Sequence, residues 1–163
     1  METIELNNGI EMPAEGLGTF LMEPDDAQAA VESALEQGCR HIDTANYYMN
    51  EKAVGRGIRA SGVPREEIFL STKLWPTEYD EADAAIDATL ARLNTDYVDM
   101  LILHQPICDY LAAWKAMERA YHAGKVLARP IELPTGEDPG GDRCRRDQAT
   151  AGDRGVPSVL PGA

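Results

Sequence analysis

Apolar and polar residues alternate with two different periods along the first 125 residues of the chain. Short apolar runs bounded by turn-forming residues are typical of strands. They predict four strands, at Ala14–Thr19, Cys39–Asp43, Glu67–Lys73 and Tyr97–Leu103. Between these runs, apolar residues recur every three or four positions, which is typical of amphipathic helices. They predict helices that start at Asp25 or Asp26 and end at Gly38, and that span Asn50–Ala60, Glu81–Leu93 and Leu111–Ala123.

A hairpin is predicted at the start of the chain. Thr3–Leu6 and Ile10–Met12 have strand character and flank Asn7-Asn8-Gly9, whose residues accept the positive φ that a tight turn requires. The pattern is therefore a hairpin followed by four strand–helix pairs. It predicts an α/β fold with parallel strands and right-handed helical crossovers.

Two architectures fit this alternation, a doubly wound open sheet and part of a (β/α)8 TIM barrel. Gly16-Leu17-Gly18 carries only the first two glycines of the dinucleotide-binding fingerprint of a doubly wound sheet. Asp43, Lys73 and His104, in contrast, stand at or just beyond the ends of three successive predicted strands. Catalytic groups of barrels converge at the carboxyl ends of the strands, so these residues favour the barrel.

The composition narrows the classes of function. The chain has 163 residues, which fits a single domain at ~100–200 residues per domain. Its 28 acidic and 15 basic residues give a formal charge of −13, which argues against binding to nucleic acid or to an anionic membrane. No apolar run approaches the ~18 residues of a membrane-spanning helix, and the first residues lack the pattern of a signal peptide. Cys39, Cys108 and Cys144 lie far apart without a C-x-x-C motif, which predicts no disulfide framework and a cytoplasmic location.

The composition changes after Lys125. From Val126 to the end of the chain there are eleven Gly and Pro residues among 38, and no aromatic residue. Such a segment buries too little apolar surface to offset the entropy of its chain. We therefore divide the chain into a domain at 1–126 and a tail at 127–163 that is disordered or translated in a shifted reading frame.

The first 126 residues resemble the aldo-keto reductases in several motifs at once. The opening hairpin and first strand match at Leu6–Gly9, Met12–Pro13 and Gly16–Thr19, and the N-terminal motif of the family matches at Gly38–Ala45, Tyr48–Glu51 and Val54–Gly55. The lysine, histidine and fourth-helix segments match at Ser71–Trp75, Leu103–Pro106, Ala113–Glu118 and Gly124–Val126. The His-Gln-Pro sequence is most similar to bacterial members such as 2,5-diketo-gluconate reductases. Met49 departs from the pattern, because the family usually has glycine there.

The resemblance implies an NADP-dependent oxidoreductase that reduces aldehydes or ketones to alcohols. By resemblance, the catalytic residues are Tyr48 as proton donor, Lys73 as the cation that eases proton release, Asp43 as the partner of the lysine and His104 as the group that orients the carbonyl. The residues near the cofactor, NADPH with NADH as an alternative, are Gly18, Thr19 and Asp43. The substrate is a small carbonyl compound, and its pocket is lined by Phe20, Trp75 and His104.

The chemistry accounts for these residue types. A free tyrosine has a pKa of ~10, and an ammonium group beside a phenol favours its ionised form. Taken one at a time, a lysine at a strand end is usually solvated, an aspartate there is usually a helix cap, and His104 is compatible with a structural role. Only their joint spacing favours a catalytic set. A metal site made of His41, Asp43 and His104 lacks zinc-like spacing, so no metal is predicted.

The length of the chain suggests a second hypothesis about its function. A (β/α)8 barrel usually needs ~250 residues, so these residues correspond to a truncated, N-terminal half. We expect the outer edges of the first and fourth strands to be open, which favours self-association. The alternative to a reductase is therefore a catalytically inactive half-barrel that acts at most as an assembly or interaction partner.

Overall fold

In the computed structural model, which describes residues 2–128, a hairpin precedes a four-stranded parallel sheet. The strands are β1 (Thr3–Glu5) and β2 (Glu11–Pro13) in the hairpin, and β3 (Leu17–Gly18), β4 (His41–Asp43), β5 (Phe69–Leu74) and β6 (Met100–Leu103) in the sheet. The helices are α1 (Pro24–Glu36), α2 (Glu51–Ala60), α3 (Ala82–Leu93) and α4 (Tyr110–His122). Single 3-10 segments lie at Asn46–Tyr48, Arg65–Glu67 and Pro76–Glu81.

The order of the strands distinguishes the two architectures. The sheet runs β3-β4-β5-β6 in chain order, and every neighbouring pair is parallel. Each helix packs against the next one in the chain. A doubly wound sheet reverses its strand order at a switch point, and no reversal occurs among the described strands. The structure therefore confirms the α/β fold and the barrel-like order of its first half.

The hydrophobic core lies between the sheet and the helices. Side chains alternate between the two faces of a strand, and Ile42, Leu70, Leu74 and Leu101 are buried on the face that meets the helices. The helices contribute apolar residues to the same cluster, among them Val31, Leu35, Val54, Leu90 and Leu93. On the opposite face, β4 carries His41 and Asp43 and β5 carries Ser71 and Lys73 beside Phe69, and the polar members of this set supply the candidate site.

The predicted start of the first helix is wrong. Asp25 and Asp26 were expected as caps, but the cap position is Glu23, whose side chain makes no capping hydrogen bond, and Pro24 is the first helical residue. Proline is favoured there because its fixed φ suits the helix and its missing N–H would be unpaired in any case. The two aspartates instead lie in the first turn, where their charges interact favourably with the helix dipole.

All four predicted strands of the sheet are shorter in the structure, and β3 and β6 lose the most residues. β3 is restricted to Leu17–Gly18, because only these residues pair with β4. β6 begins at Met100 rather than at Tyr97. Before that point, the N–H of Val98 donates to the carbonyl of Lys125, at 3.0 Å, on the side away from β5.

Residues 125–128 cover the beginning of the outer edge beside β6. Val126 forms a parallel bridge with Val98, and Leu127 donates its N–H to the carbonyl of Val98 at 3.1 Å. The side-chain amide of Asn8, in the hairpin turn, donates to the carbonyl of Leu127 at 2.9 Å. The chain before β6 is therefore paired on this side, whereas Met100–Leu103 pair only with β5 among the described residues.

The expected boundary after residue 126 stays a prediction. Residues 127 and 128 continue the pairing of Val126, since the N–H of Ala128 donates to the carbonyl of Asp99 at 2.7 Å. Residues 129–163 lie outside the described residues. The predictions of a disordered tail and of a shifted reading frame concern that segment.

The state of the cysteines differs from the expectation. Within residues 2–128, Cys39 is a free thiol, whereas Cys108 is disulfide-bonded. The wide spacing of the cysteines along the chain did not indicate a disulfide. In the same part of the chain, none of the helices has the length and apolar character needed to cross a membrane.

Gly55 allows α2 to approach the end of α3 closely. A β-carbon added to Gly55 would lie 2.2 Å from the carbonyl oxygen of Leu93, so a side chain there forces the helices apart. We expect Gly55→Ala to lower the free energy of unfolding by about 1–3 kcal/mol, although alanine has the higher helix propensity by about 1 kcal/mol. The exposed Arg59→Ala variant on the same helix should change it by less than about 0.5 kcal/mol. Urea unfolding decides the sign, and a Gly55→Ala protein more stable than wild type would contradict this packing.

Candidate active site

Three neighbouring strands bring the polar residues together at the carboxyl end of the sheet. Asp43 is the last residue of β4, Lys73 is the fifth residue of β5, and His104 directly follows β6. The N–H of His104 donates to the carbonyl of Leu74 at 2.9 Å, which continues the pairing of β6 with β5. Because the strands are parallel and in register, these side chains lie at the carboxyl end of the sheet.

Lys73 and Asp43 form an ion pair across β4 and β5. The Nζ of Lys73 donates to Oδ2 of Asp43 and also to the carbonyl of Thr44, the latter at 3.0 Å. The hydroxyl of Ser71 donates to Oδ1 of Asp43 at 2.7 Å, so both carboxylate oxygens have a donor. The side chains of Lys73 and Asp43 are 18% and 31% exposed. This partial burial strengthens the pair relative to one at the surface while leaving the ammonium accessible.

Tyr48 lies above this ion pair. It ends the 3-10 turn that follows β4, and Met49 closes the turn with a positive φ of 59°. The Nζ of Lys73 lies 5.2 Å from the centroid of the Tyr48 ring. The ring centroids of Tyr48 and His104 are 6.1 Å apart, with the planes nearly perpendicular. The structure thus brings the four predicted catalytic residues into one cluster.

Aromatic side chains surround the open side of the cluster. Phe20 contacts Tyr48 with 5.0 Å between ring centroids, and Trp75 contacts His104 with 4.7 Å. Tyr47 stacks on Trp75 at 4.0 Å. Phe20 and Tyr47 remain 60% and 55% exposed. Exposed aromatic faces beside polar groups are typical of a small-molecule site.

His104 is held neutral near physiological pH. Burial is the main cause that lowers the pKa of its imidazole, and the nearby charge of Lys73 lowers it further, whereas Asp43 opposes the shift. Its Nδ1 atom is buried and has no hydrogen-bond partner within residues 2–128. A bare ring nitrogen tolerates this position better than an N–H, because a buried donor without an acceptor is costly. The proton of the neutral ring is therefore on Nε2, where it can be donated to an oxygen.

Two buried polar side chains, Tyr79 and Glu51, support the site from the helical side. The hydroxyl of Tyr79 donates to the carbonyl of Gln105 at 2.8 Å, which holds the segment after His104, and burial raises the pKa of this phenol. The buried carboxylate of Glu51 accepts from the hydroxyl of Thr72 at 2.8 Å and from Arg92 at 2.6 Å. Burial raises the pKa of Glu51, and the Arg92 guanidinium opposes that shift.

The residues expected near a cofactor differ in what they expose. Gly18 ends β3, and no other atom lies within 4 Å of where a β-carbon would be, so a flat ring can approach its backbone. Thr19 is fully buried, so its side chain is not available to a ligand. The N–H of Thr19 donates to the carbonyl of Asp43 at 3.0 Å. The backbone of Gly18 and the side chain of Asp43 are therefore accessible to a ligand, whereas the side chain of Thr19 is not.

Sequence reasoning missed Asn50, which joins the two loops of the site. Its side-chain amide donates to the carbonyls of Thr19 and Met22 at 2.9 and 3.0 Å, and its oxygen accepts from the hydroxyl of Thr44 at 3.1 Å. Asn50 was assigned to the start of a helix, where asparagine is a common cap. In the structure its side chain makes no cap bond. The sequence offered one signal for this role. An asparagine side chain has two donor and two acceptor positions, and a buried one must find partners for them outside its own helix.

Comparison with known proteins agrees with the geometry. The profile of the aldo/keto reductase family matches residues 15–129. The glyoxal reductase of Bacillus subtilis is 44% identical over 131 residues, which are 78% of this chain and 48% of that protein. The glycerol 2-dehydrogenase (NADP(+)) of Saccharomyces cerevisiae is 52% identical over 103 residues, which are 63% of this chain and 33% of that protein.

Solved structures show the same fold. The crystal structure of an aldo/keto reductase from Brucella melitensis superposes with a TM-score of 0.74 at 40% identity, over 77% of this chain and 50% of that one. An aldo-keto reductase from Bombyx mori in complex with NADP superposes with a TM-score of 0.70 at 37% identity, over 77% of this chain and 48% of that one. The chain thus spans about a third to a half of the length of the proteins that it matches.

The histidines of the site make stability depend on pH. Burial is the main cause that lowers the pKa of both His41 and His104 below the ordinary value of 6.5, and Lys73 lowers both further. Protons therefore bind the unfolded chain first as the pH falls, so the free energy of unfolding decreases below about pH 6.5. We expect a smaller decrease between about pH 7.5 and 5.5 in a protein with both His41→Gln and His104→Gln. The matched control is His122→Gln, which is exposed and should keep the wild-type dependence. Urea unfolding at the two pH values tests this, and an unchanged dependence in the double variant would contradict it.

Proposed function

The chain belongs to the aldo/keto reductase family, and we propose that its site reduces the carbonyl group of a small aldehyde or ketone to an alcohol with NADPH. The observation that carries this proposal is the cluster of Tyr48, Lys73, Asp43 and His104 at the carboxyl end of the sheet. These residues provide a proton donor, a cation, the anion that positions the cation, and a neutral hydrogen-bond donor. Reduction of a carbonyl group needs these functions in addition to a hydride source.

NADPH, when bound, supplies the hydride that the carbonyl carbon accepts. The chain's own residues act on the carbonyl oxygen. Tyr48 donates its hydroxyl proton to that oxygen, and the Lys73 ammonium stabilises the negative charge that remains on the phenol oxygen. The Nε2–H of His104 donates a hydrogen bond to the same oxygen and so orients the carbonyl group. Asp43 keeps the ammonium at its position between the strands.

The preference for NADPH is part of the proposal. It is supported by the yeast relative that is named as an NADP(+) enzyme and by the silkworm relative solved with NADP. Gly18 and Asp43 would hold the nicotinamide end, with Thr19 contributing through its backbone. NADH remains the alternative, because the residues that distinguish the two cofactors are not among those of the described site.

The pocket favours small substrates with a flat or apolar part next to the carbonyl. Phe20 and Trp75 flank Tyr48 and His104, and the Tyr47 ring extends the aromatic wall by stacking on Trp75. Aromatic faces bury apolar surface, while the polar groups of the site fix the orientation of the carbonyl group. We propose a small-molecule carbonyl compound as the substrate, with no role for nucleic acid or membrane. A cytoplasmic location stays a prediction.

The second candidate is an inactive assembly or interaction partner. It is favoured by the exposed edge of β3, since the described residues pair β3 only with β4. An unpaired strand edge can pair with a second chain. In this reading residues 1–126 form a partial barrel that associates with another copy, and residues 127–163 form a separate tail.

The first test removes only the proton donor. In Tyr48→Phe the ring stays and the hydroxyl is lost, so we expect kcat for aldehyde reduction to fall by about 100-fold or more with little change in KM. Tyr47→Phe is the matched control, because it removes a neighbouring, exposed hydroxyl and should keep kcat within about twofold. The measurement is the oxidation of NADPH over a series of aldehydes. Equal kcat in wild type and Tyr48→Phe would contradict the assignment.

The second test distinguishes the reductase from the inactive partner. Titration of the purified chain with NADPH, followed by nucleotide fluorescence, should saturate at micromolar concentration if the site binds the cofactor, a free energy of about −8 kcal/mol. Gly18→Val should abolish saturation, because it fills the open space beside the backbone. Sedimentation of the same samples reports the number of copies. Absence of binding at millimolar NADPH together with a stable dimer would support the second candidate.

A further inference from the structure

A chain of hydrogen-bonding groups leads from the ion pair into the interior of the sheet. The Oγ of Ser71 lies 2.7 Å from Oδ1 of Asp43 and 3.1 Å from Nε2 of His41. Ser71 is buried and His41 is partly buried, and both occupy strand positions on the same face as Asp43 and Lys73. The proposed mechanism does not use either residue.

The number of protons determines the direction of these hydrogen bonds. Asp43 is ion-paired with Lys73, so its carboxylate accepts and does not donate. The hydroxyl of Ser71 has one proton, and the shorter bond, to a charged oxygen, is the stronger of its two contacts. Once this proton is donated to Asp43, the Ser71 oxygen can only accept from His41. The Nε2 atom of His41 must then carry a proton.

The position of the His41 ring is closely determined by its neighbours. A β-carbon on Gly16 would lie 2.8 Å from Cγ of His41, so the ring rests against the Gly16 backbone. On the other side the edge of the ring contacts Phe69, with 5.0 Å between ring centroids. The backbone of Pro13, which has a carbonyl to accept but no N–H to donate, also faces the ring and raises its pKa. A ring enclosed in this way keeps Nε2 directed at Ser71.

The charged groups around His41 come from three strands or their ends. Asp43 is on its own strand, Lys73 is on β5, and Asp99 precedes β6. The two carboxylates favour the imidazolium, whereas Lys73 and burial oppose it, and burial is the largest influence, so the pKa of the ring is lowered. At neutral pH the ring is therefore neutral and carries a single proton, which the contact between Nε2 and Ser71 favours on Nε2.

We propose that Ser71 and His41 are positioning residues, and that the directed chain from Nε2–H of His41 through the Ser71 hydroxyl to Oδ1 of Asp43 holds the carboxylate that positions Lys73. The catalytic part of this inference rests on the proposed function. The hydrogen-bond directions do not, because they rest on the two distances to Ser71 and on the charge of Asp43. Without the hydroxyl of Ser71, Oδ1 of Asp43 loses its only side-chain donor within the described residues. The carboxylate can then rotate, and the ammonium follows it.

The first experiment is independent of turnover. The sequence has three histidines, so their ring nitrogens can be resolved by NMR of the ¹⁵N-labelled full-length chain and assigned with single His→Gln variants. We expect His41 in the Nε2–H form in wild type and in Ser71→Thr, which keeps a hydroxyl. In Ser71→Ala the Nε2 proton loses its acceptor, and the ¹³C signal of the Asp43 carboxylate shifts. Wild type with the proton on Nδ1 of His41 would overturn the proposal, because Ser71 would then donate to His41 and not to Asp43.

The second experiment measures the effect on the reaction. We expect Ser71→Ala to lower kcat by about tenfold with KM unchanged within about twofold, and Ser71→Thr to restore kcat. The control is Ser33→Ala, an exposed hydroxyl in α1 that should leave both kcat and the His41 signals unchanged. Unchanged kcat in Ser71→Ala would overturn the positioning role. A wild-type protein without turnover would count against the proposed function alone. The Asp43 signal in Ser71→Ala would still decide whether the hydrogen bonds from His41 and Ser71 hold the carboxylate.

Discussion

The ion pair between Lys73 and Asp43 connects the sheet to the chemistry of the site. It joins two neighbouring strands at their carboxyl ends, and its partial burial carries a desolvation cost. That cost is offset only because each group has further partners, the Thr44 carbonyl for the ammonium and the Ser71 hydroxyl for the carboxylate. A pair satisfied in this way has one preferred geometry. The ammonium is therefore already beneath Tyr48 before a substrate is present, which is the preorganisation that electrostatic catalysis requires.

The loops around the ion pair are held by side chains that are themselves fully hydrogen-bonded. Asn50 links the segment that carries Phe20 to the segment that carries Tyr48, and it does so from a buried position with both donor and acceptor contacts. Glu51, the next residue, is held by Thr72 and Arg92 and so attaches the start of α2 to β5 and α3. The position of the Tyr48 ring thus depends on polar contacts made behind it. This explains how Met49 can follow it with a positive φ and remain exposed, since the neighbouring residues determine the turn.

Part of this arrangement could be predicted from the sequence and part could not. Apolar periodicity located the four helices and the strands, because burial on one face of an element is a local property of the chain. The ends of β3 and β6 were missed, since they depend on which segment supplies the pairing partner, as Lys125 does for Val98. The residue types at the strand ends indicated a site, and the resemblance to a family assigned their roles. Neither the residue pattern nor the family resemblance identified Asn50 and Ser71, because these residues act through contacts with residues far away in the sequence.

The proposed proton transfer and cofactor binding depend on different residues of the site, which determines what half a barrel can do. The groups proposed to act on the carbonyl oxygen come from β4, β5, the turn after β4 and the residue that follows β6. The residues that support Asp43 lie at interior positions of β4 and β5. For the proposed function, the residues assigned to handle the proton therefore all lie within residues 2–128. Cofactor affinity has a different origin, because only Gly18 and Asp43 offer accessible contacts here and neither carries a positive charge for a phosphate. In the proposed function, binding of NADPH and transfer of the proton thus depend on different groups, and a site with correct proton chemistry but weak cofactor binding is physically consistent.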